Sequence, residues 1–393
     1  MTIEELYRDL HAHPELSFEE TRTAGIAAAE LRAAGFDVIE GIGITGVAGV
    51  LRNGAGPTVL LRADMDALPV TEDTGLTYAS TATGVMHACG HDVHVACLIG
   101  AVRELAATQA EWAGTVIAVF QPAEEAGGGA QAMLDAGLYE KVPVPDVVLG
   151  QHVGPAPAGM VGAHPGVAFA SADSIDITVR GRGGHGSRPE TTIDPIVIAA
   201  AVVGRLQTIV SREISPQDTS VVTVGRISAG TKNNIIPDDA ELGLSMRAYS
   251  EDVRLRMIAA IKRIVNAESA ASGAPEPLFE FAESFPVTVN DQLATERTMT
   301  AFRSEFGDEA VIDPGPVSGS EDVGLLATAV GAPLVYWILG GADPEKYLAA
   351  ANAGTIERDI PSNHSSHFAP VIQPTLDRGV AALVTACREW LRS

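Results

Sequence analysis

The stretch Thr-Val-Leu-Leu-Arg-Ala-Asp-Met-Asp, residues 58–66, is an apolar run of strand length that ends in acidic residues. Two further apolar runs follow at 115–120 and 147–150, and helix-like stretches at 93–107 and 128–136 separate the three runs. Strands that alternate with helices are typical of βαβ units. We therefore predict an α/β fold in which a mostly parallel sheet is flanked by helices on both faces.

The sequence pattern changes near residue 172, where strand-like segments begin to alternate polar and apolar residues. Such alternation is typical of half-exposed antiparallel strands. The alternating segments are 174–180, 219–227 and 241–248, and helix-like stretches lie at 195–211 and 251–267. We predict a smaller α+β domain over 172–285, inserted into a larger α/β domain that 1–171 and 286–393 form together.

Two segments near the start of the chain, 2–5 and 17–20, fit the capping-box pattern of helix beginnings. In that pattern a Ser or Thr and a Glu three residues later satisfy the free backbone amides of the first turn. We predict a helix after each segment, the second of which ends at Gly35.

The composition excludes several classes of protein. The 393 residues are 46% hydrophobic and carry 26 basic and 50 acidic side chains, for a net charge of −24. A surface this negative disfavours nucleic acid and anionic membranes as partners. No apolar run reaches the roughly 18 residues of a membrane-spanning helix, and the acidic N-terminus does not fit a secretory signal. Three cysteines, an odd number in a long chain, indicate a reducing compartment, so we expect a soluble cytoplasmic protein.

The histidines are clustered, and the densest cluster is His-Ala-Cys-Gly-His-Asp-Val-His at 87–94. The Cys89 thiolate and the His91 imidazole can bind one first-row transition metal if Gly90 makes a tight turn between them. Alternatively, Cys89 is a small buried residue and His91 begins a helix that Asp92 caps.

Potential metal ligands also follow the predicted strands, at the edge where open α/β sheets bind their ligands. Glu124 and Glu125 come after the run at 115–120. Adjacent carboxylates favour a cation that makes one a ligand and the other a proton carrier, although two solvated loop acids are the alternative. His152 follows the third apolar run, and a late loop adds His364. Together these residues predict a metal site.

Residues 181–186, Gly-Arg-Gly-Gly-His-Gly, formally match the dinucleotide-binding pattern G-x-G-x-x-G. We reject that interpretation because Pro189 interrupts the helix that should follow, and because the preceding strand is not wholly apolar. The glycines instead predict a loop that is free to present His185.

Several of these segments together resemble the N-acyl amino acid amidohydrolases, a branch of the aminoacylase and carboxypeptidase G superfamily of dinuclear metallohydrolases. The resemblance spans nearly the whole chain, and its Cys-Gly-His-Asp segment is specific to this branch. The segments that carry it are 11–17, 64–69, 86–92, 121–125, 181–188 and 363–365.

The resemblance implies two divalent metal ions, with Glu124 as general base and Asp66 as support for a ligand. The implied ligands are Cys89, His91, Glu125, His152 and His364. This mixed set favours Zn²⁺ or Mn²⁺, with Co²⁺ or Ni²⁺ as alternatives.

Some positions depart from the family pattern. The late motif reads His-Ser-Ser-His instead of His-Ser-Pro, so His367 is an alternative ligand to His364. Asp64 stands where dipeptidase-like cousins have a His, which leaves its role as a ligand open. We expect His87 and His94 to be structural or to support the ligands.

We predict a metal-dependent amidohydrolase that cleaves N-acyl amino acids, such as hippurate or N-acetyl amino acids, to a carboxylic acid and a free amino acid. His185 is a candidate to stabilise the oxyanion. Asn233 and Arg247 are candidates to bind the substrate, because the Arg fork matches a carboxylate; a surface ion pair is the alternative for Arg247.

Two other functions remain open at this stage. One is a carboxypeptidase or dipeptidase with the same metal centre, and the other is a metal- or ligand-binding protein without catalysis, which the Glu124–Glu125 pair disfavours. The resemblance also implies a homodimer through 172–285, in which His185 reaches the partner's metal centre. The alternative is that His185 lies on a flexible surface loop.

Overall fold

The computed structural model describes residues 1–391, which form two compact units. The first unit comprises Met1–Ala168, Val289–Pro316 and the described residues from Asp322 on. The second comprises Phe169–Thr288 and Val317–Glu321, so its main segment brackets the domain predicted at 172–285.

The first unit is built on a mixed eight-stranded sheet. In spatial order its strands are β1 (Asp37–Ile42), β2 (Gly46–Asn53), β4 (Gly114–Gln121), β3 (Thr58–Asp64), β5 (Val147–Pro157), β16 (Leu334–Ala342), β6 (Val161–Gly162) and β15 (Val311–Ile312). The central strands β4, β3, β5 and β16 run parallel to one another. Their side chains are buried on both faces, which explains why each reads as a continuous apolar run.

Helices flank this sheet and share one apolar core with it. They are α1 (Ile3–Ala12), α2 (Thr21–Ala33), α3 (His91–Ala107), α4 (Gly129–Asp135), α5 (Leu138–Lys141), α8 (Gln292–Phe306), α9 (Gly324–Thr328), α10 (Pro344–Ala353), α11 (Ile356–Asp359) and α12 (Ile372–Leu391). Short strands β7 (Gly166–Phe169) and β14 (Thr288–Asn290) lie where the chain passes from one unit to the other.

The second unit contains an antiparallel sheet covered by two helices. Its strands, in spatial order, are β10 (Ser220–Ala229), β12 (Asp239–Ala248), β8 (Ser171–Arg180) and β13 (Leu278–Phe285), and its helices are α6 (Pro195–Thr208) and α7 (Glu251–Ala271). Alternate residues such as Ile175, Ile177, Leu242 and Leu244 are buried in its core, as the period of two predicts. A two-stranded ribbon joins β9 (Gly184–His185) to β11 (Ile235–Ile236).

Helix α6 continues as a π-helical turn to Glu213, and this stretch, Pro195–Glu213, is apolar and long enough to cross a membrane by length and composition. Core helices of globular proteins also meet that criterion. Here Ile198, Val202 and Leu206 are buried in the core of the second unit. One face of the helix is therefore buried against the sheet of the second unit, and the other face is exposed.

One of the two predicted capping boxes is confirmed and the other is wrong. Thr2 and Glu5 cap α1 reciprocally. Helix α2, however, begins at Thr21, and the side chain of its N-cap residue Glu20 makes no capping bond. Ser17 and Glu20 bond instead to residues far away in the chain, as described below.

Candidate metal centre

The candidate site lies at the carboxyl edge of three adjacent parallel strands. Strand β3 ends at Asp64, β4 ends just before the turn that carries Glu124 and Glu125, and β5 carries His152 beyond its last residue paired with β3. The strand order β4-β3-β5 therefore brings together side chains that are far apart in the sequence.

The turn before α3 supplies Cys89 and His91. Gly90 has φ +85°, in the left-handed region, and a Cβ atom there would overlap Val153 Cγ1. Glycine is therefore required at this position for two reasons, the left-handed backbone conformation and the close approach of β5. The tight turn predicted at Gly90 is present, and it points both neighbouring side chains to the same edge of the sheet.

Two groups of potential ligands share Cys89. The ligand atoms of Cys89, His91 and His152 lie within 4.8 Å of one another, and the same holds for Cys89, Glu125 and His364. A third group joins Glu124 to His91 and Glu125 within the same limit. Two overlapping three-residue groups with one common thiol fit a centre for two ions better than a centre for one.

His91 has a buried ring nitrogen that fits a metal ligand. Its Nδ1 lies 3.2 Å from Asp66 Oδ1, whereas its buried Nε2 makes no hydrogen bond with any residue in 1–391. Buried polar atoms without a hydrogen bond are rare, because their desolvation is costly. The groups that face this nitrogen are carboxylates, with Asp64 Oδ2 at 3.6 Å and Glu124 and Glu125 at 3.9 Å. A carboxylate on one ring nitrogen leaves the other as the donor atom to a metal.

The electrostatics of the pocket also fit a cation. Burial alone would lower the pKa of His91, but the nearby carboxylates, Asp64 first, raise it from 6.5 to about 10. Burial raises the pKa of the Cys89 thiol well above its usual range, and Glu125 and Glu124 raise it further. Excess negative charge thus surrounds both groups, and a thiolate forms here only with a positive partner.

Asp66 organises the residues around the candidate ligands. Its Oδ1 accepts from the Glu124 backbone amide at 3.0 Å, and its Oδ2 accepts from the Glu125 amide at 3.0 Å and from Ser17 Oγ at 2.7 Å. With its contact to His91, Asp66 therefore connects the N-terminal segment, the turn after β4 and the beginning of α3. This arrangement is consistent with the supporting role predicted for Asp66.

Asp64 and His94 are already engaged by other partners. The Val153 amide donates to His94 Nε2 at 2.8 Å, so that His94 Nδ1 donates to Asp64 Oδ1 at 2.5 Å. Asp64 Oδ2 lies 2.6 Å from Arg62 Nη1. Both ring nitrogens of His94 are used, which fits a supporting position. Asp64 is paired with arginine, but it also forms a candidate ligand group with His91 and His94, so its role as a ligand stays open.

The geometry favours His364 over His367. His364 Nε2 lies 3.2 Å from Glu125 Oε1, and the His364 amide donates to the Ala88 carbonyl next to Cys89. His367 Nδ1 donates to the Asp73 carbonyl at 2.5 Å and belongs to none of the ligand groups among residues 1–391. Its role here is to connect two loops.

Asn363 is a supporting residue that the sequence analysis did not single out. Its Nδ2 donates to the carbonyls of Cys89 and Val153, each at 3.0 Å. It therefore joins the loops of three candidate ligands, since it also precedes His364.

His87 is buried with no hydrogen bond to either ring nitrogen, and burial lowers its pKa to about 4.

His185, Asn233 and Arg247 all belong to the second unit. His185 is exposed on β9, where its Nδ1 accepts from the Ser187 amide at 3.1 Å. Asn233 lies in an exposed turn before β11. Arg247 Nη1 donates to the Ser318 carbonyl at 3.0 Å, in place of the surface ion pair considered as an alternative.

The glycines around His185 have a different role from the freedom predicted for them. A Cβ at Gly183 would lie 2.7 Å from the Ile236 carbonyl oxygen, and one at Gly184 would lie 2.7 Å from Thr192 Cγ2. The loop is also held by backbone hydrogen bonds, among them Gly186 N to Asn234 O at 2.8 Å. These glycines allow the close approach of Ile236 and Thr192.

Comparisons with known proteins agree with this description. Residues 60–363 match the peptidase family M20/M25/M40. The chain is 38% identical over 93% of its length to thermostable carboxypeptidase 2 of Saccharolobus solfataricus, of which it covers 89%, and 40% identical over 82% of its length to the hippurate hydrolase of Campylobacter jejuni, of which it covers 84%. A solved dinuclear metal binding peptidase of Bacillus subtilis from family M20 has a TM-score of 0.76 and 29% identity, with 99% of this chain and 96% of that chain covered.

The family match, the relatives and the Cys, His and carboxylate cluster at the carboxyl edge of the sheet together indicate a metal-dependent hydrolase of amide bonds. The chain belongs to the peptidase family M20/M25/M40, in its amidohydrolase branch. The family, the fold class and the hydrolase activity predicted from the sequence are thereby confirmed.

We predict that Gly90→Ala destabilises the protein by about 1–3 kcal/mol and also weakens metal binding, because the side chain forces an unfavourable φ and displaces Val153. Urea unfolding and titration of the apoprotein with Zn²⁺ measure the two effects. Gly84→Ala is the matched control, since Gly84 has φ +78° with nothing within 4 Å of the added Cβ. Equal losses in the two variants would show that the packing against β5 does not matter.

Proposed function

We propose that this protein hydrolyses the amide bond of N-acyl amino acids such as hippurate, with Glu124 as general base. The proposed ligands of two divalent ions are Cys89, His91, Glu125, His152 and His364. The observation that carries the proposal is the pair of ligand groups that share Cys89, with Glu124 grouped beside His91 and Glu125. The relative named hippurate hydrolase supports the substrate class.

In the proposed mechanism, the protein's own residues orient the reactants and move the proton. Two divalent ions bound by these ligands would lower the pKa of water and polarise the scissile carbonyl. Glu124 takes the proton of the attacking water and passes it to the leaving nitrogen. Asp66 accepts a hydrogen bond from the Glu124 amide, which fixes the backbone position from which the Glu124 side chain extends. His185 stabilises the oxyanion, and Asn233 and Arg247 bind the substrate, whose carboxylate fits the fork of the arginine.

We propose Zn²⁺ or Mn²⁺ as the native metal, with Co²⁺ or Ni²⁺ as alternatives. Thiolate and imidazole ligands favour Zn²⁺, whereas carboxylates are also compatible with Mn²⁺. Metal analysis of the purified protein, followed by reconstitution of the apoprotein with each ion, distinguishes among them.

A carboxypeptidase or dipeptidase activity at the same centre is the second candidate, which the relative named carboxypeptidase 2 supports. The two activities differ in what occupies the acyl side of the scissile bond. Hydrolysis of hippurate, N-acetyl-methionine and a dipeptide, each with and without Mn²⁺ or Zn²⁺, separates them. Turnover of the dipeptide alone would contradict the N-acyl proposal, and binding without turnover of any substrate would favour a non-catalytic role.

The protein is further proposed to be a cytoplasmic homodimer that associates through its second unit. Ile196 and Val197 are exposed on α6, and Val221 and Ile227 are exposed on β10. Among the described strands, β10 pairs only with β12, so its outer edge offers free backbone groups to a second copy. An apolar helix face next to an open strand edge is typical of such an interface.

Replacement of Cys89 or His152 with Ala should lower the metal content and abolish turnover, because each removes a proposed ligand. Metal analysis after desalting and a hippurate assay measure the two losses. Cys97→Ala is the control, since Cys97 is also a buried free cysteine but donates to the Leu376 carbonyl. Full activity of chelator-treated wild type would refute the metal centre.

The two adjacent carboxylates should respond differently to the same substitution. Glu124→Gln should keep the metal and lower kcat by about 10²–10⁴-fold, because an amide cannot carry the proton. Glu125→Gln should instead lose metal. If metal is lost from the first variant and retained by the second, the roles of base and ligand must be exchanged.

Mixing two inactive variants, His185→Ala and Glu124→Gln, tests whether His185 acts on the partner's site. In a mixed dimer with action in trans, one site carries both defects and the other carries none, so activity should return to a fraction of the wild-type rate. Light scattering and exchange of labelled subunits verify that mixed dimers form. Mixed dimers without activity would mean that His185 does not act across the interface.

A further inference from the structure

The segment Ser17–Glu20, whose pattern predicts a helix cap, contacts the candidate centre instead. Glu20 is fully buried, and its Oε1 accepts from the Phe18 amide at 2.9 Å and from the Ala123 amide at 2.8 Å. Thr45 Oγ1 donates to Glu20 Oε2. This buried carboxylate thus connects the start of α2 to the turn that carries Glu124 and Glu125.

The turn after β4 is held by carboxylates at three successive backbone amides. The Ala123 amide bonds to Glu20, and the amides of Glu124 and Glu125 bond to the two oxygens of Asp66, each at 3.0 Å. Three consecutive amides pointing at two buried anions form a concave array typical of anion-binding loops. Here the anions are the protein's own side chains, so the array fixes the loop itself.

The conformation of Ala123 shows why this support is needed. Its φ is +48°, in the left-handed region that non-glycine residues rarely adopt at a cost of roughly 1–2 kcal/mol. Such a conformation persists only where the surroundings hold it. The hydrogen bond to Glu20 is made by the amide of Ala123, the residue with the unfavourable φ. The next residue, Glu124, is the proposed general base.

We propose that Glu20 is a positioning residue that holds the turn at 123–125 and thereby sets the orientation of Glu124 and Glu125. The proposal rests on the proposed function of Glu124 for its effect on catalysis. Its structural part, the protection of the turn, does not depend on that function.

Glu15 provides a matched control in the same part of the chain. Its carboxylate also accepts from two backbone amides, those of Arg22 and Thr23, each at 2.8 Å. These bonds hold the first turn of α2, and none reaches the turn at 123–125. Substitution of the half-buried Glu15 therefore measures the loss of a carboxylate that also accepts from two amides, without the loss of positioning.

The test compares Glu20→Ala, Glu20→Gln and Glu15→Ala by two measurements. Hydrogen exchange of the 121–127 segment, followed by mass spectrometry on the apoprotein, should accelerate about tenfold in Glu20→Ala, because a buried amide loses its acceptor. The metal-loaded variant should lose kcat by about 10–100-fold, the usual effect of removing a residue that supports a ligand, with KM within about twofold. Glu20→Gln keeps an acceptor oxygen and should restore most of both properties, and Glu15→Ala should leave both near wild type.

Two results would overturn the proposal. One is wild-type exchange of the 121–127 segment in Glu20→Ala, and the other is an equal loss of kcat in Glu20→Ala and Glu15→Ala. If Glu20→Ala does not fold, Thr45→Val is tested by the same two measurements, because it removes the side-chain donor to Glu20 Oε2, and wild-type exchange and kcat in that variant would overturn the proposal. The proposed function would be refuted separately by a wild-type protein that hydrolyses no N-acyl amino acid, or by an active Glu124→Gln variant. In that case the exchange result would still test whether Glu20 positions the turn at 123–125.

Discussion

Asp66 accepts hydrogen bonds from Ser17 Oγ and from the amides of Glu124 and Glu125, and it lies against His91 Nδ1. One carboxylate therefore connects the N-terminal segment, the turn after β4 and the beginning of α3. Because its side chain is almost fully buried, these bonds replace the water that the charge has lost. The positions of the candidate ligands depend on this carboxylate, since a shift of Asp66 would move the turn and the imidazole together.

The pocket around Asp66 contains more carboxylates than basic side chains to balance them. Asp64 is neutralised by Arg62, and burial of ionised carboxylates without a partner costs several kcal/mol each. The side chains of Asp66, Glu124 and Glu125 lie near His91, whose proton is the available positive charge when no metal is bound. Although Arg62 pairs with it, Asp64 contributes most to raising the pKa of His91 to about 10, and Asp66 and Glu125 add to the effect. Divalent cations would supply the charge that the pocket requires and release that proton.

The central strands and the order of the elements could be predicted from the sequence because burial dictates their pattern. Strands β3, β4 and β5 are buried on both faces and read as apolar runs, whereas β8 and β12 alternate because one face is exposed. Two-residue strands such as β6 and the edge strand β15 are too short to carry such a pattern, so they were not predicted. The candidate ligands could be listed because their residue types are rare and clustered. Asp66 was predicted as a support only through the family resemblance, and Glu20 was not, since it fits a capping box equally well and only the tertiary fold brings Ala123 to it.

The choice of a cysteine at the shared position connects metal binding to protonation. Burial raises the pKa of Cys89, and the charges of Glu125 and Glu124 raise it further, so the thiol is protonated in the apoprotein at neutral pH. Binding of a metal must displace this proton, because the thiolate is the form that acts as a ligand. The affinity for the metal therefore rises with pH below the pKa of the thiol. In the proposed centre, Cys89 would be inert without the ion and would become the anion common to both ligand groups when the ion binds. The nearby carboxylates, which oppose the thiolate in the apoprotein, would then help to retain the cation that stabilises it.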